Sequence, residues 1–231
     1  MIREYQYREI FMKSKFKKDH YVVVKKAIPK ELATFMYNYL LMKEEVLKHL
    51  LKDKYISPYE TIHGFFGDGQ AVDPKAFCTY SDIANETMLL RCQPVLEKHT
   101  GLKLVPTYTY SRNYQRGNTL RRHKDRPSCA VSCTLNYGGQ PWPIYLDTTD
   151  PKIHSPSQGQ YKPIGKKGVK VVLNPGDLLI YKGCELEHWR EAFMGETCVQ
   201  AFLHYNIEGS THNLYDNRPH LGLPAWYKNN G

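Results

Sequence analysis

The chain has 231 residues, 41% of them hydrophobic and 13% aromatic, and a formal net charge of +9. That is enough apolar material for one folded domain, and no apolar run approaches the ~18–20 residues needed to span a membrane. The charge attracts anions in general, but the basic residues are spread over 13–18, 25–30, 121–126 and 162–170. No helical basic region or glycine-aromatic RNA signature accompanies them, so nucleic acid is not the expected partner. The cysteines at 78, 92, 129, 133, 184 and 198 form no CxxC pair. The N-terminus lacks the charged-then-apolar order of a leader. Together these predict reduced thiols and a cytoplasmic protein.

In chain order, residues 21–26 read as a strand, and Pro29-Lys30-Glu31 opens a helix. Leu32, Phe35, Met36, Tyr39, Val46, Leu47, Leu50 and Leu51 recur at threes and fours, which predicts an amphipathic face packed on a sheet. Residues 55–80 read as a loop, with glycines at 64, 67 and 69. Ser81-Asp82 caps a second helix running to about His99 and interrupted near Pro94. From Leu102 the pattern changes to short strands bounded by turn signals, at 105–114, 129–137, 143–147, 169–173, 177–181 and 199–205. Asn174-Pro175-Gly176-Asp177 supplies a tight turn between two of them. Helices first and short strands after predict a mainly β domain with flanking helices, an antiparallel sandwich or barrel. A single domain over 1–231 divides into an N-terminal strand and supporting helices (1–104), a β core (105–206) and a tail (207–231).

His123-Lys124-Asp125 is the stretch with chemistry in it. Placed on one strand, the His and Asp would share a face, because successive side chains alternate sides. About half a His-x-Asp is expected by chance in a chain with this many histidines, so the pair gains weight only from its context. His188, at the start of a late strand, closes a three-cornered site if the sheet folds back. Two imidazoles and one carboxylate on one face of an ion leave the opposite face open, the arrangement of non-haem Fe(II) oxygenases. On its own His188 would read as a partly buried histidine near Trp189; with His123 and Asp125 it reads as a ligand.

Tyr108-Thr-Tyr-Ser-Arg-Asn-Tyr114, Gly117, Leu120, His123-Lys-Asp125-Arg-Pro-Ser-Cys129, Pro175-Gly-Asp177, Glu187-His188-Trp-Arg-Glu191 and Phe202-Leu-His-Tyr205 resemble the 2-oxoglutarate/Fe(II) oxygenases. Within them the chain is most similar to the prolyl-4-hydroxylase-like branch, over roughly residues 20–207. The resemblance implies a double-stranded β-helix (jelly roll) and Fe(II) held by His123, Asp125 and His188. It also implies 2-oxoglutarate and O₂ as co-substrates, and hydroxylation with release of succinate and CO₂. It places Tyr114 and Thr134 at co-substrate contacts. In that branch a Lys or Arg about nine or ten residues after the distal histidine binds the far carboxylate of 2-oxoglutarate. Here those positions are Thr197 and Cys198, which carry no charge. A dicarboxylate in a half-dry pocket needs a cationic partner. Arg190 is the expected replacement, since on a strand it shares the face of His188. Lys182, Lys170, Arg112 and Arg126 follow it, and a pairing of Arg190 with Glu187 or Glu191 is the alternative role.

The substrate is expected to be a small molecule or a peptide. The polar, basic loop 148–168 could cover it. Two other readings of the same residues stand beside the oxygenase: a zinc-dependent hydrolase using the His/Asp/His site with a bound water, and a basic binding module with a degenerate site.

Overall fold

Two antiparallel sheets face each other, and both long helices lie against the outer surface of the larger one. The computed structural model describes residues 15–67, 75–149, 167–210 and 214–227. In order these are β1 (Tyr21–Val24), α1 (Lys30–Lys52), β2 (Phe65–Phe66), β3 (Phe77–Tyr80), α2 (Ile83–Thr100), β4 (Leu104–Gln115) and β5 (Leu120–His123). Then come β6 (Val131–Gly139), β7 (Ile144–Asp147), β8 (Val169–Val171), β9 (Leu178–Tyr181), β10 (Glu187–Arg190) and β11 (Thr197–Ile207). The large sheet runs β1-β9-β6-β11-β4-β3-β2 and the small one β5-β10-β7-β8. The jelly roll is therefore a sandwich of two separate ladders and not a closed barrel. No helix among the described residues is long and apolar enough to cross a membrane.

Strand alternation divides the large sheet into two faces. Cys133, Leu135 and Tyr137 of β6 and Val199, Ala201, Leu203 and Tyr205 of β11 pack with Met36, Leu40, Leu89 and Leu96 of the helices. Their neighbours turn the other way, toward the small sheet. In register across the ladders these are Cys198 opposite Tyr114, Gln200 opposite Arg112 and Asn136, Phe202 opposite Tyr110 and Thr134, and His204 opposite Tyr108 and Ser132. This inward face is rich in polar groups, unlike the helix-covered one. The space between the sheets is thus where the fold places its chemistry.

Helix α1 buries Ala33, Met36, Leu40 and Leu47, a narrower stripe than the sequence suggests. Phe35 is 64% exposed and Val46 47% exposed, so these two lie off the packed face. Asp82 caps α2, accepting from the Asn85 N–H at 3.1 Å, and Gly101 ends it at φ 75°. The helix continues through Pro94. The carbonyl that loses its donor there belongs to Leu90, which is half-exposed and open to hydration.

Two further expectations need correction. The 55–80 segment is not all loop: β2 and β3 lie in it, and β3 extends the large sheet by pairing with β4. His123 ends β5, so Asp125 lies beyond the strand and not on it. Residues 150–166 of the polar loop fall outside the described residues, as do 211–213 and 228–231 of the tail.

Candidate metal centre

β5 and β10 are adjacent in the small sheet, and their register sets His123 opposite His188. The rings lie 4.2 Å apart, centre to centre. Asp125 reaches the same point from the loop after β5, where its N–H bonds the Gly183 carbonyl at 2.9 Å. Its Oδ1 is 3.5 Å from His123 Nε2 and 3.4 Å from His188 Nε2. Neighbouring ligands at about 2.1 Å from one ion lie about 3 Å apart, so the three atoms are spaced as such a set requires.

The tautomers fit as well. His123 Nδ1 is 2.7 Å from the Arg121 carbonyl, and His188 Nδ1 is 3.1 Å from the Leu186 carbonyl. A carbonyl only accepts, so each Nδ1 carries a proton, and the Nε2 of each ring is the atom left to bind a metal. Burial opposes ionisation of Asp125, but positive charge on the adjacent His188 and hydrogen bonds from both imidazoles outweigh it and hold the carboxyl well below its usual range. Burial, with His188 beside it, lowers the His123 imidazole. An anionic carboxylate and a neutral imidazole are the states a divalent cation needs. His188 is 3% exposed, whereas His123 and Asp125 keep 16% and 11%, so the site opens on their side.

A second group, Asp125, Cys129 and His204, also brings ligand-type atoms within 4.8 Å. Burial pushes the Cys129 thiol well up, and the Arg126 guanidinium lies 4.3 Å over the Tyr108 ring whose hydroxyl contacts Cys129. A protonated thiol beside a fixed cation is a poor place for a second ion.

Deeper between the sheets lies Arg190, 2% exposed. One of its N–H groups reaches the Trp142 carbonyl, and the guanidinium lies 4.9 Å over the Trp142 ring. Its Nε and Nη2 have no partner among the described residues. Burial lowers the guanidinium pKa, and Cys198, Tyr114, Tyr181 and Arg112 are the groups that act on it next. The charge therefore enters from the small sheet but arrives beside Cys198, where the resemblance expects a basic residue on the large sheet. The pairing of Arg190 with Glu187 or Glu191 is absent, since Arg122 takes Glu187 and Glu191 is exposed.

Tyr114 is 1% exposed, and its hydroxyl accepts from Arg112 at 3.1 Å. Thr134 is buried on the inward face beside the Tyr181 phenol, and the Tyr181 ring stands edge-on to His188 at 4.8 Å. Of the other basic candidates, Lys182 pairs with Glu185, Arg126 with Asp216, and Lys170 is exposed. Arg112 does face the space between the sheets, over Tyr110 and Phe202. Sequence reasoning missed Ser132, His204, Tyr181 and Gly183 around the site. Strand parity could have found the first two, since Ser132 shares a face with Thr134 and His204 with Phe202.

No family model matches the chain, and no curated protein does. Solved structures do match. The non-heme alpha ketoglutarate dependent epimerase SnoN from nogalamycin biosynthesis is 14% identical, with a TM-score of 0.62 over 87% of this chain and 83% of its own. A prolyl-4-hydroxylase from Pseudomonas putida is also 14% identical, with a TM-score of 0.55 over 87% of this chain and 100% of its own. This chain has the fold of the 2-oxoglutarate/Fe(II) oxygenases. HygX from Streptomyces hygroscopicus, solved with nickel, 2-oxoglutarate and hygromycin B bound, shares that oxygenase fold at 10% identity, with a TM-score of 0.53 over 88% of each chain. At these identities the likeness is one of architecture.

Proposed function

We propose that this protein is an Fe(II)/2-oxoglutarate-dependent dioxygenase that hydroxylates a small molecule. The observation that carries the reading is the pairing of two features in one inter-sheet space. His123, Asp125 and His188 bring their ligand atoms within 4.8 Å of one another, and a buried guanidinium with two nitrogens unpartnered among the described residues lies deeper in. His123, Asp125 and His188 would hold Fe(II), and Arg190 would take the far carboxylate of 2-oxoglutarate, flanked by Tyr114 and Thr134. When bound, the iron and 2-oxoglutarate supply oxidation of a substrate C–H bond by O₂, with release of succinate and CO₂.

The chain's own residues do the positioning. The two backbone carbonyls hold Nδ1–H on both imidazoles, which leaves the Nε2 of each to bind the metal. Arg190 offers a planar fork that suits a carboxylate, and its burial strengthens that interaction relative to water. Tyr114, Trp142, Phe193 and Phe202 pack together around this region and exclude water from it. A small-molecule substrate fits the neighbours that share the fold, among them one solved with hygromycin B and one with nogalamycin RO.

The zinc hydrolase reading needs a general base beside a metal-bound water. Asp125 is itself a ligand candidate, Glu187 is held by Arg122, and the His204 Nδ1 faces Ser132. The degenerate-module reading fits poorly with three ligand atoms already spaced for one ion. The test is succinate formation from 2-oxoglutarate under air with Fe(II) and a panel of small-molecule acceptors. Turnover that Asp125→Ala abolishes in a folded protein is expected. Ester or amide hydrolysis supported by Zn(II), with no succinate from any acceptor, would replace this reading by the hydrolase.

A further inference from the structure

Asp125 has two oxygens, and only Oδ1 faces the histidines. Oδ2 is 2.6 Å from the Ser132 hydroxyl. An ionised carboxylate only accepts, so Ser132 donates to it. A hydroxyl has one proton, so the 3.0 Å contact between Ser132 Oγ and His204 Nδ1 must have the imidazole N–H as donor. His204 is 5% exposed and stacked on Tyr108 at 4.5 Å, so its ring is not free to turn. The third side is closed by Gly183, where a Cβ would overlap both Asp125 Oδ2 and Ser132 Oγ. The Gly183 carbonyl meanwhile holds the Asp125 N–H at 2.9 Å.

We infer that Ser132 and His204 are positioning residues that hold Asp125 Oδ2 and so fix attachment of the metal through Oδ1 alone, with Gly183 closing the remaining approach. The inference rests on the reading of His123, Asp125 and His188 as metal ligands. Its consequence concerns the open face of the ion. A carboxylate that turned to bind through both oxygens would take part of the face that a chelating co-substrate and O₂ must share. The line from His204 through Ser132 to Asp125 opposes that turn, because turning would break the Ser132 bond to Oδ2 and leave the buried hydroxyl without it. Partners of this kind orient a ligand and set its affinity.

The experiment uses Co(II) alone as probe, read by its visible absorption, which responds to coordination number, and by titration. The parent should bind Co(II). Ser132→Ala should weaken binding by about 10- to 100-fold and alter the spectrum, and Ser132→Thr, which keeps the hydroxyl, should restore both. His204→Asn retains an N–H near the Nδ1 position and should resemble the parent. His204→Phe retains the stacking without the donor and should resemble Ser132→Ala. Melting curves of the metal-free variants establish that each is folded; if Ser132→Ala is not, the two His204 variants decide. A parent that binds Co(II) while Ser132→Ala or His204→Phe matches it in affinity and spectrum overturns the positioning role and leaves the metal reading intact. A folded parent that binds no Co(II) overturns both.

Discussion

Arg190 carries the most exposed expectation at the scale of single residues. A buried guanidinium with two nitrogens unpartnered among the described residues is costly unless an anion completes it. Arg190→Ala should weaken 2-oxoglutarate binding by roughly 10- to 100-fold, as loss of a charged hydrogen-bond partner does, while metal affinity stays near that of the parent. Calorimetry of each ligand separately checks this, and unchanged 2-oxoglutarate affinity would make Arg112 the next cation to test. Burial lowers the His204 imidazole to about 4, against an ordinary value of about 6.5. Above pH 6.5 both folded and unfolded chains hold it neutral. Between pH 6.5 and about 4 the unfolded chain takes up a proton that the fold refuses, so stability falls as pH falls, by on the order of 3 kcal/mol. His204→Gln in metal-free protein should flatten that part of the stability profile, measured by denaturant melts across the pH range. The three ligand candidates were legible because a His-x-Asp and a later strand histidine have a recognisable spacing. Ser132 and Gly183 were not, because a serine in a strand and a glycine in a turn look alike whether or not a carboxylate sits against them.

Individual elements show what periodicity can and cannot say. The repeat of apolar residues located α1 correctly, but the side that packs is set by the sheet beneath it. Leu40 is fully buried, and Leu40→Ala should cost about 2–5 kcal/mol. Phe35→Ala, on the exposed side, should stay within about 0.5 kcal/mol, and chemical denaturation compares the two. Strand β5 escaped the pattern because residues 120–123 read Leu-Arg-Arg-His. Arg122 there pairs with Glu187 and Asp147 and lies 4.0 Å over the Trp189 ring, so a strand's outer face is made of charge. The tail has a role that its sequence did not reveal. Tyr215, Asp216 and Asn217 all take positive φ, from 52° to 66°. Asp216 accepts two bonds from Arg126 at 2.7 and 2.8 Å, which ties this left-handed turn to the residue after Asp125. Arg218 follows, buried against Glu86 at 2.9 Å. Glu86→Gln leaves that cation without its counter-charge and should destabilise by about 3–5 kcal/mol in thermal or denaturant melts.

Taken whole, the molecule follows the order its sequence advertises, with helices first and short antiparallel strands after. That much is a matter of alternating patterns and turn residues such as 174–177, which join β8 to β9 across the two sheets. The order of strands within the sheets was not legible, because β9 inserts between β1 and β6 through contacts far apart in sequence. Nor was β3, four residues at the end of a glycine-bearing stretch, which is a strand only because β4 offers it an edge. The crossing of the chain between sheets is what brings His188 opposite His123 and Arg190 beside Cys198. The central claim, that this inter-sheet site holds Fe(II) and 2-oxoglutarate together, is tested most directly by anaerobic addition of both to the metal-free protein, followed by visible absorption. A weak charge-transfer band should appear only when both are present, and should be missing in folded Asp125→Ala. A folded parent that gives no band with both present at saturating concentrations would contradict the account.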